Sequence, residues 1–83
     1  MYSVYLKKSA EKELDNLPAK IHDKIITVIL SLKDSPFPRN AKKLHGREGL
    51  RIRTGNCRIL YVVDKADKKI EVISVADRKE VYR

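Results

Sequence analysis

The sequence has one cysteine, three glycines and three prolines in 83 residues. A lone thiol, Cys57, excludes an internal disulfide and a cysteine-rich zinc site. No apolar run approaches the ~18 residues of a membrane-spanning helix. The opening MYSVYLKKS is too short and too polar at its end for a signal peptide. Repeats, low-complexity tracts, phosphate loops, nucleotide fingerprints, metal-ligand clusters and nucleophilic triads are all missing. No cofactor and no metal are therefore expected. Acids are scarce, 11 against 19 Lys and Arg, leaving a formal charge of +8. Such a surplus calls for a polyanionic partner: nucleic acid, an acidic protein or a membrane surface. With no spanning or signal segment, the membrane is the weakest of the three. The expectation is a soluble cytoplasmic protein folded as one domain over 1–83.

Periodicity divides the chain. Met1 to Lys7 alternates and is rich in β-formers, so it reads as a strand. Ser9 is the expected N-cap of a short helix, with Glu11 and Glu13 in its first turn and Ala10, Leu14 and Leu17 as its apolar stripe. Pro18 ends that helix and can begin the next, which runs to about Lys33. Ile21, Ile25, Val28, Ile29 and Leu32 share one face of the second helix, widened by Ile26 and Leu30. Asp34-Ser35-Pro36-Phe37-Pro38 stops it. Residues 36–47 read as a loop carrying Arg39, Lys42, Lys43 and Arg47 without an acid. Three β-runs follow, at about 48–54, 57–63 and 69–76, the last two joined by a polar turn from Asp64 to Lys68. The order is β-α-α-β-β-β. The expected fold is α+β, with a helical hairpin packed on one face of a small, mainly antiparallel sheet.

Within that sheet the arginines converge. Alternation places Arg51 and Arg53 on one face, roughly 7 Å apart. Gly55-Asn56 reads as a two-residue hairpin turn. It puts Thr54 opposite Cys57 and Arg53 opposite Arg58, with side chains about 5 Å apart. Like charges so close are destabilising unless a partner offsets them, and guanidinium geometry favours a phosphate. Leu50 and Ile52 belong to the helix-packed face. The 58–63 run is apolar on both faces and so should be central. The open face then has a cationic end and an apolar end, which suits RNA or an amphipathic protein segment. His22, His45 and Cys57 carry no clear chemistry by themselves.

The segment KKLHGREGLRIRTGNCRILYVVDKADKKIEVISVADRKEVYR resembles the C-terminal half of the RelE/ParE superfamily of bacterial and archaeal toxins. The pattern is KL-x-G, then R-I-R-x-G-x-x-R-I-x-Y, then a strand ending in R-x-x-V-Y. The strand, helix, Leu-Pro break, long helix and S-P-x-P of the first half fit the same layout. The resemblance implies a compact toxin of a type II toxin–antitoxin system, neutralised by a cognate antitoxin presenting an acidic amphipathic segment. Its RelE-like branch implies a microbial-ribonuclease-like enzyme that cleaves mRNA in the ribosomal A site. There the RNA's own 2′-OH attacks and leaves a 2′,3′-cyclic phosphate. On this pattern the catalytic residues are Arg51, Arg53, Arg58, Arg78 and Tyr82. Asp77 is a candidate proton acceptor or orienter of Arg78. Arg39, Lys42, Lys43 and Arg47 are candidates for contact with RNA or the ribosome. Promoter DNA is expected only through the antitoxin complex.

Two departures from the family pattern shape the chemistry. Well-known RelE-type sequences carry lysines where this chain has Arg51 and Arg53, and many have histidine at the position of Asp77. Arginine effectively cannot give up its proton, so these residues are cast as electrostatic stabilisers and the general base is left unassigned. The alternatives are a ParE-like toxin that inhibits DNA gyrase without cleaving nucleic acid, and an inactive relative that only binds RNA or antitoxin.

Overall fold

The computed structural model describes residues 1–77, with the Asp77 side chain outside the description. In chain order its elements are β1 (Ser3–Leu6), α1 (Lys8–Asp15), α2 (Ala19–Ser31), β2 (Lys42–Lys43), β3 (Leu50–Thr54), β4 (Cys57–Asp64) and β5 (Lys69–Asp77). The strands form one sheet in the order β1-β5-β4-β3-β2. β1 runs parallel to β5, and the other pairs are antiparallel. The α+β architecture is therefore as expected, and β4 is central. The sheet has one strand more than β-α-α-β-β-β allows, because part of the expected 36–47 loop forms β2.

Alternation sorts the side chains. Ile52, Ile59, Tyr61, Ile70, Val72 and Val75 are buried on one face, where they form a core with Ala10 and Leu14 of α1 and with Ile25, Ile29 and Leu32 of the α2 region. Each such aliphatic side chain contributes about 1.5–3 kcal/mol by leaving water. Leu30 does not widen this contact. It is half exposed, because it falls on the flank of α2 turned from the sheet.

Both helix starts differ from the expectation by a residue or two. Lys7, not Ser9, occupies the N-cap of α1, and it makes no side-chain cap bond. The Lys7 N–H still belongs to the sheet, donating to Val72 O at 3.0 Å, while its carbonyl already accepts from Glu11 N at 2.9 Å. The strand therefore becomes helix at that residue, and Ser9 falls inside. Pro18 caps α2 rather than opening it. At the other end α2 closes at Ser31, and tighter bonds such as Lys33 N to Leu30 O (3.2 Å) carry the winding on. This is why the expected end lay near Lys33.

Three contacts fix the sheet to its surroundings. Tyr61 is buried, and its hydroxyl donates to Pro36 O at 2.9 Å, tying the loop after α2 to the central strand. Burial pushes its pKa up to about 12. In β5 the register slips: Tyr61 pairs with Val72 but Leu60 with Ser74. Ile73 is the extra residue of a bulge. Beyond it β5 outruns β1, and Glu13 of α1 covers part of the bare edge. Its Oε1 accepts from Val75 N and from Ser74 Oγ, each at 3.2 Å. Finally, Gly49 lets β3 approach β4. It holds φ at 129°, and a Cβ there would meet Tyr61 O and Leu44 Cδ1, both at 3.1 Å.

Candidate functional site

The site is built by register. Arg53 pairs with Arg58 and Thr54 with Cys57 across the Gly55-Asn56 turn, as alternation required. Gly55 alone of the two turn residues has positive φ, 58°, which favours glycine at the first turn position. The next row of the same face is Lys42, Arg51 and Leu60, set by the β2–β3 and β3–β4 pairings. Lys42, Arg51, Arg53 and Arg58 therefore lie in two adjacent rows on the face away from the helices. With Asn40 they line one open depression of about 340 Å³.

This arrangement joins like charges twice across the ladder, Lys42 to Arg51 and Arg53 to Arg58. Placing like charges opposite one another in a ladder is destabilising. No acid of the described residues offsets it. The only ion pair among them is the distant His22–Asp23 contact at 3.6 Å. Between Ser35 and Val63 the only acid is Glu48. A group with several anionic oxygens, such as a phosphate, relieves this repulsion and can take paired hydrogen bonds from the guanidinium forks.

The loop cations do not stay together. Lys42 joins the arginines. Lys43 and Arg47 line a second, larger depression of about 660 Å³ with Phe37, Leu44 and Val62. Arg39 lines neither and is exposed. Lys42 and Asn40 are the two residues whose membership of the arginine cluster went unforeseen. The only available signal was the apolar Leu44 after two lysines, too short a pattern to announce a strand. Arg78 and Tyr82 lie outside the described residues, as does the Asp77 side chain, though the backbone of Asp77 is in register with Cys57. Cys57 itself is buried in the core. His45 lies in the exposed turn before β3 and lines neither depression. The opposite end of the open face is different in kind: Tyr5, Val62, Asp64, Lys69 and Glu71 line a depression of mixed charge. There the Lys69 ammonium stands 6.0 Å from the centre of the Tyr5 ring.

Among known proteins, the family model of the ParE toxin of type II toxin–antitoxin systems matches residues 4–82. The chain belongs to the RelE/ParE superfamily of type II toxins. Toxin RelE of Mycobacterium tuberculosis is 29% identical to it over 84 residues, covering 99% of this chain and 87% of the relative. Putative toxin RelE1 of Methanocaldococcus jannaschii is 30% identical over 86 residues, covering 99% and 96%. Among solved structures, the archaeal RelE–RelB complex of Pyrococcus horikoshii superposes with a TM-score of 0.83 at 29% identity, over 93% of this chain and 94% of that one. The isolated E. coli RelE toxin gives 0.80 at 26% identity, over 99% and 92%. The toxin fold, two helices on one face of a mixed five-stranded open sheet, is thus common to this chain and its relatives.

Proposed function

We propose that this toxin is a ribosome-dependent endoribonuclease that stops translation by cleaving mRNA in the A site. The observation that carries the reading is the convergence of Arg51, Arg53 and Arg58 with Lys42 in one solvent-open depression that no described acid neutralises. The RelE-named relatives support the same branch. In this reading the 2′-OH of the RNA attacks the adjacent phosphorus and the 5′-oxygen leaves, giving a 2′,3′-cyclic phosphate. Arg51, Arg53 and Arg58 hold the non-bridging oxygens and stabilise the charge that grows on them. Arg78 stabilises the leaving side, Tyr82 stacks on or orients a base, and Asp77 accepts a proton or braces Arg78. Arg39, Lys43 and Arg47 add contacts to RNA or ribosome. A cluster of arginines supplies no strong base, so positioning of the 2′-OH by the ribosome must provide much of the rate. Free RNA is accordingly a poor substrate.

The partners follow from the same surface. A cognate antitoxin with an acidic amphipathic segment would neutralise the cationic end of the open face and cover Tyr5 and Val62 at its other end, which is of mixed charge and not the apolar end that alternation suggested. Promoter DNA would be reached through that antitoxin complex. The setting is the cytoplasm, where ribosomes work, and none of the described helices is long and apolar enough to cross a membrane. Primer extension on ribosome-bound mRNA tests the reading. Wild type should give A-site cuts, and Arg58→Ala should lose them at equal folded concentration. Equal cleavage by the variant would remove Arg58 from the mechanism.

A second reading has one observation in its favour: the matching family model is that of ParE. A ParE-like toxin would block DNA gyrase and leave mRNA intact. Supercoiling and translation assays on the same preparation separate the two. Inhibition of neither would favour a relative that only binds RNA or antitoxin.

A further inference from the structure

We infer that Asn40 selects the base beside the held phosphate, its side-chain amide pairing with the N6 amine and N7 of an adenine. The inference rests on the ribonuclease reading and adds a choice of sequence to it. Asn40 lines the depression with Lys42, Arg51, Arg53 and Arg58. Those four side chains only donate hydrogen bonds. That suits the oxygens of a phosphate, which only accept. An amide both donates and accepts, from two groups side by side in one plane. Its carbonyl oxygen has no use for a phosphate and calls for an N–H. The Hoogsteen edge of adenine offers that N–H at N6 beside an acceptor at N7, the two-bond match to an asparagine. Guanine offers two acceptors on the same edge, and the amide can satisfy only one of them.

The loop has no use of its own for this amide. Asparagine serves turns in two ways: it tolerates a left-handed backbone, and its side chain bonds the backbone two residues on. Neither applies here. Lys68 is the only described residue other than glycine with positive φ. The Asn40 side chain makes no hydrogen bond to any of the described residues. Backbone closes the turn instead, with Ala41 N–H donating to Pro38 O at 3.0 Å. The loop is also braced at its start, where Pro36 O accepts from the buried Tyr61 hydroxyl at 2.9 Å. Pro36 and Pro38 narrow the backbone freedom between these two bonds. Asn40 is thus exposed to the depression from a braced loop, so a base can bind with little further ordering.

The test is single-turnover cleavage on the ribosome below saturating toxin, with mRNAs carrying adenine or 7-deazaadenine on either side of the cleaved bond. The replacement turns N7 into a C–H and leaves the Watson–Crick edge intact. The readout is the ratio of the two rates, from which any loss of folding or of phosphate binding cancels. Wild type should cut the 7-deaza mRNA about tenfold more slowly when the base stands on one side of the bond, and at an equal rate when it stands on the other. Asn40→Ala should bring the larger ratio to within about twofold of unity. Asn40→Asp, which keeps the acceptor and loses the donor to N7, should do the same. A wild-type ratio near unity on both sides would overturn the inference. So would a tenfold ratio that survives in either variant. A wild-type toxin that cuts none of these mRNAs would instead overturn the ribonuclease reading, and this inference with it.

Discussion

The two ends of the open sheet face share only the central strand β4 and have opposite character. At the hairpin end, Arg51, Arg53 and Arg58 meet Lys42 with no described acid between them. At the other end, Tyr5 and Val62 share their depression with Asp64, Glu71 and Lys69, so the one cation there has acids for neighbours. A fold needs neither arrangement for its own stability, since the core lies on the opposite face. The compensated end behaves as an ordinary protein surface. The uncompensated end stores repulsion that no acid among the described residues discharges. That contrast, rather than the overall charge of +8, is the reason the proposed site is put at the hairpin end.

The largest expected effect separates the two ends by activity. Arg58→Ala should cut ribosome-dependent cleavage by at least about 10²-fold, on the scale of losing one donor to a developing oxyanion. Val62→Ala, at the compensated end, should change it less than about threefold. Comparable losses from both would erase the distinction.

Next in size is a stability change that should reach both ends alike. Tyr61 lies beneath them on the core face and carries the bond to Pro36. Its folded pKa, about 12, exceeds the ordinary value of 10.0 because burial disfavours the phenolate. A raised folded pKa means stability that is fully present below pH 10 and is lost as pH climbs from 10 toward 12. That loss is on the order of 1–2 kcal/mol. Denaturant melts of wild type and Tyr61→Phe across this window should show the extra alkaline loss in wild type only. At neutral pH the variant should be about 1 kcal/mol less stable, from the missing hydrogen bond. Parallel alkaline curves would contradict the assigned burial effect.

Removing part of the stored repulsion should have the opposite sign. Arg53→Thr, which keeps a β-former on the strand, should raise stability by about 0.5–1 kcal/mol at low salt, with the gain shrinking at high salt. The smallest effect sharpens the contrast at its weaker end. Glu71→Gln should leave stability within about 0.5 kcal/mol of wild type, as for most exposed single charges. A large salt-dependent change there would show that the second end is not compensated.

What could be read ahead of the structure follows the range of the interactions involved. The Arg53–Arg58 pairing was legible because a two-residue turn and strict alternation are local, and they fix register within a few residues. The apolar faces of the α2 region and of β4 were legible for the same reason. β2 was not: two residues carry no period, and they become a strand only because β3 offers them an edge. By pattern Lys42 therefore reads as a loop residue and not as a member of the arginine cluster. The bulge at Ile73 and the grip of Glu13 on Ser74 and Val75 join residues some 60 positions apart in the chain, where pattern gives no warning. Leu30 departs from the pattern because helical spacing leaves the border of an apolar stripe to be decided by how the helix is rotated on its sheet.

The proposed mechanism requires a phosphate held at the uncompensated end. Its most direct test is single-turnover cleavage of ribosome-bound mRNA by two matched double variants, Arg51→Ala/Arg58→Ala and Tyr5→Ala/Val62→Ala, each shown to be folded. Loss of cleavage in the first with near-normal cleavage in the second is the predicted result. Cleavage that survives in the first, or fails only in the second, would contradict it.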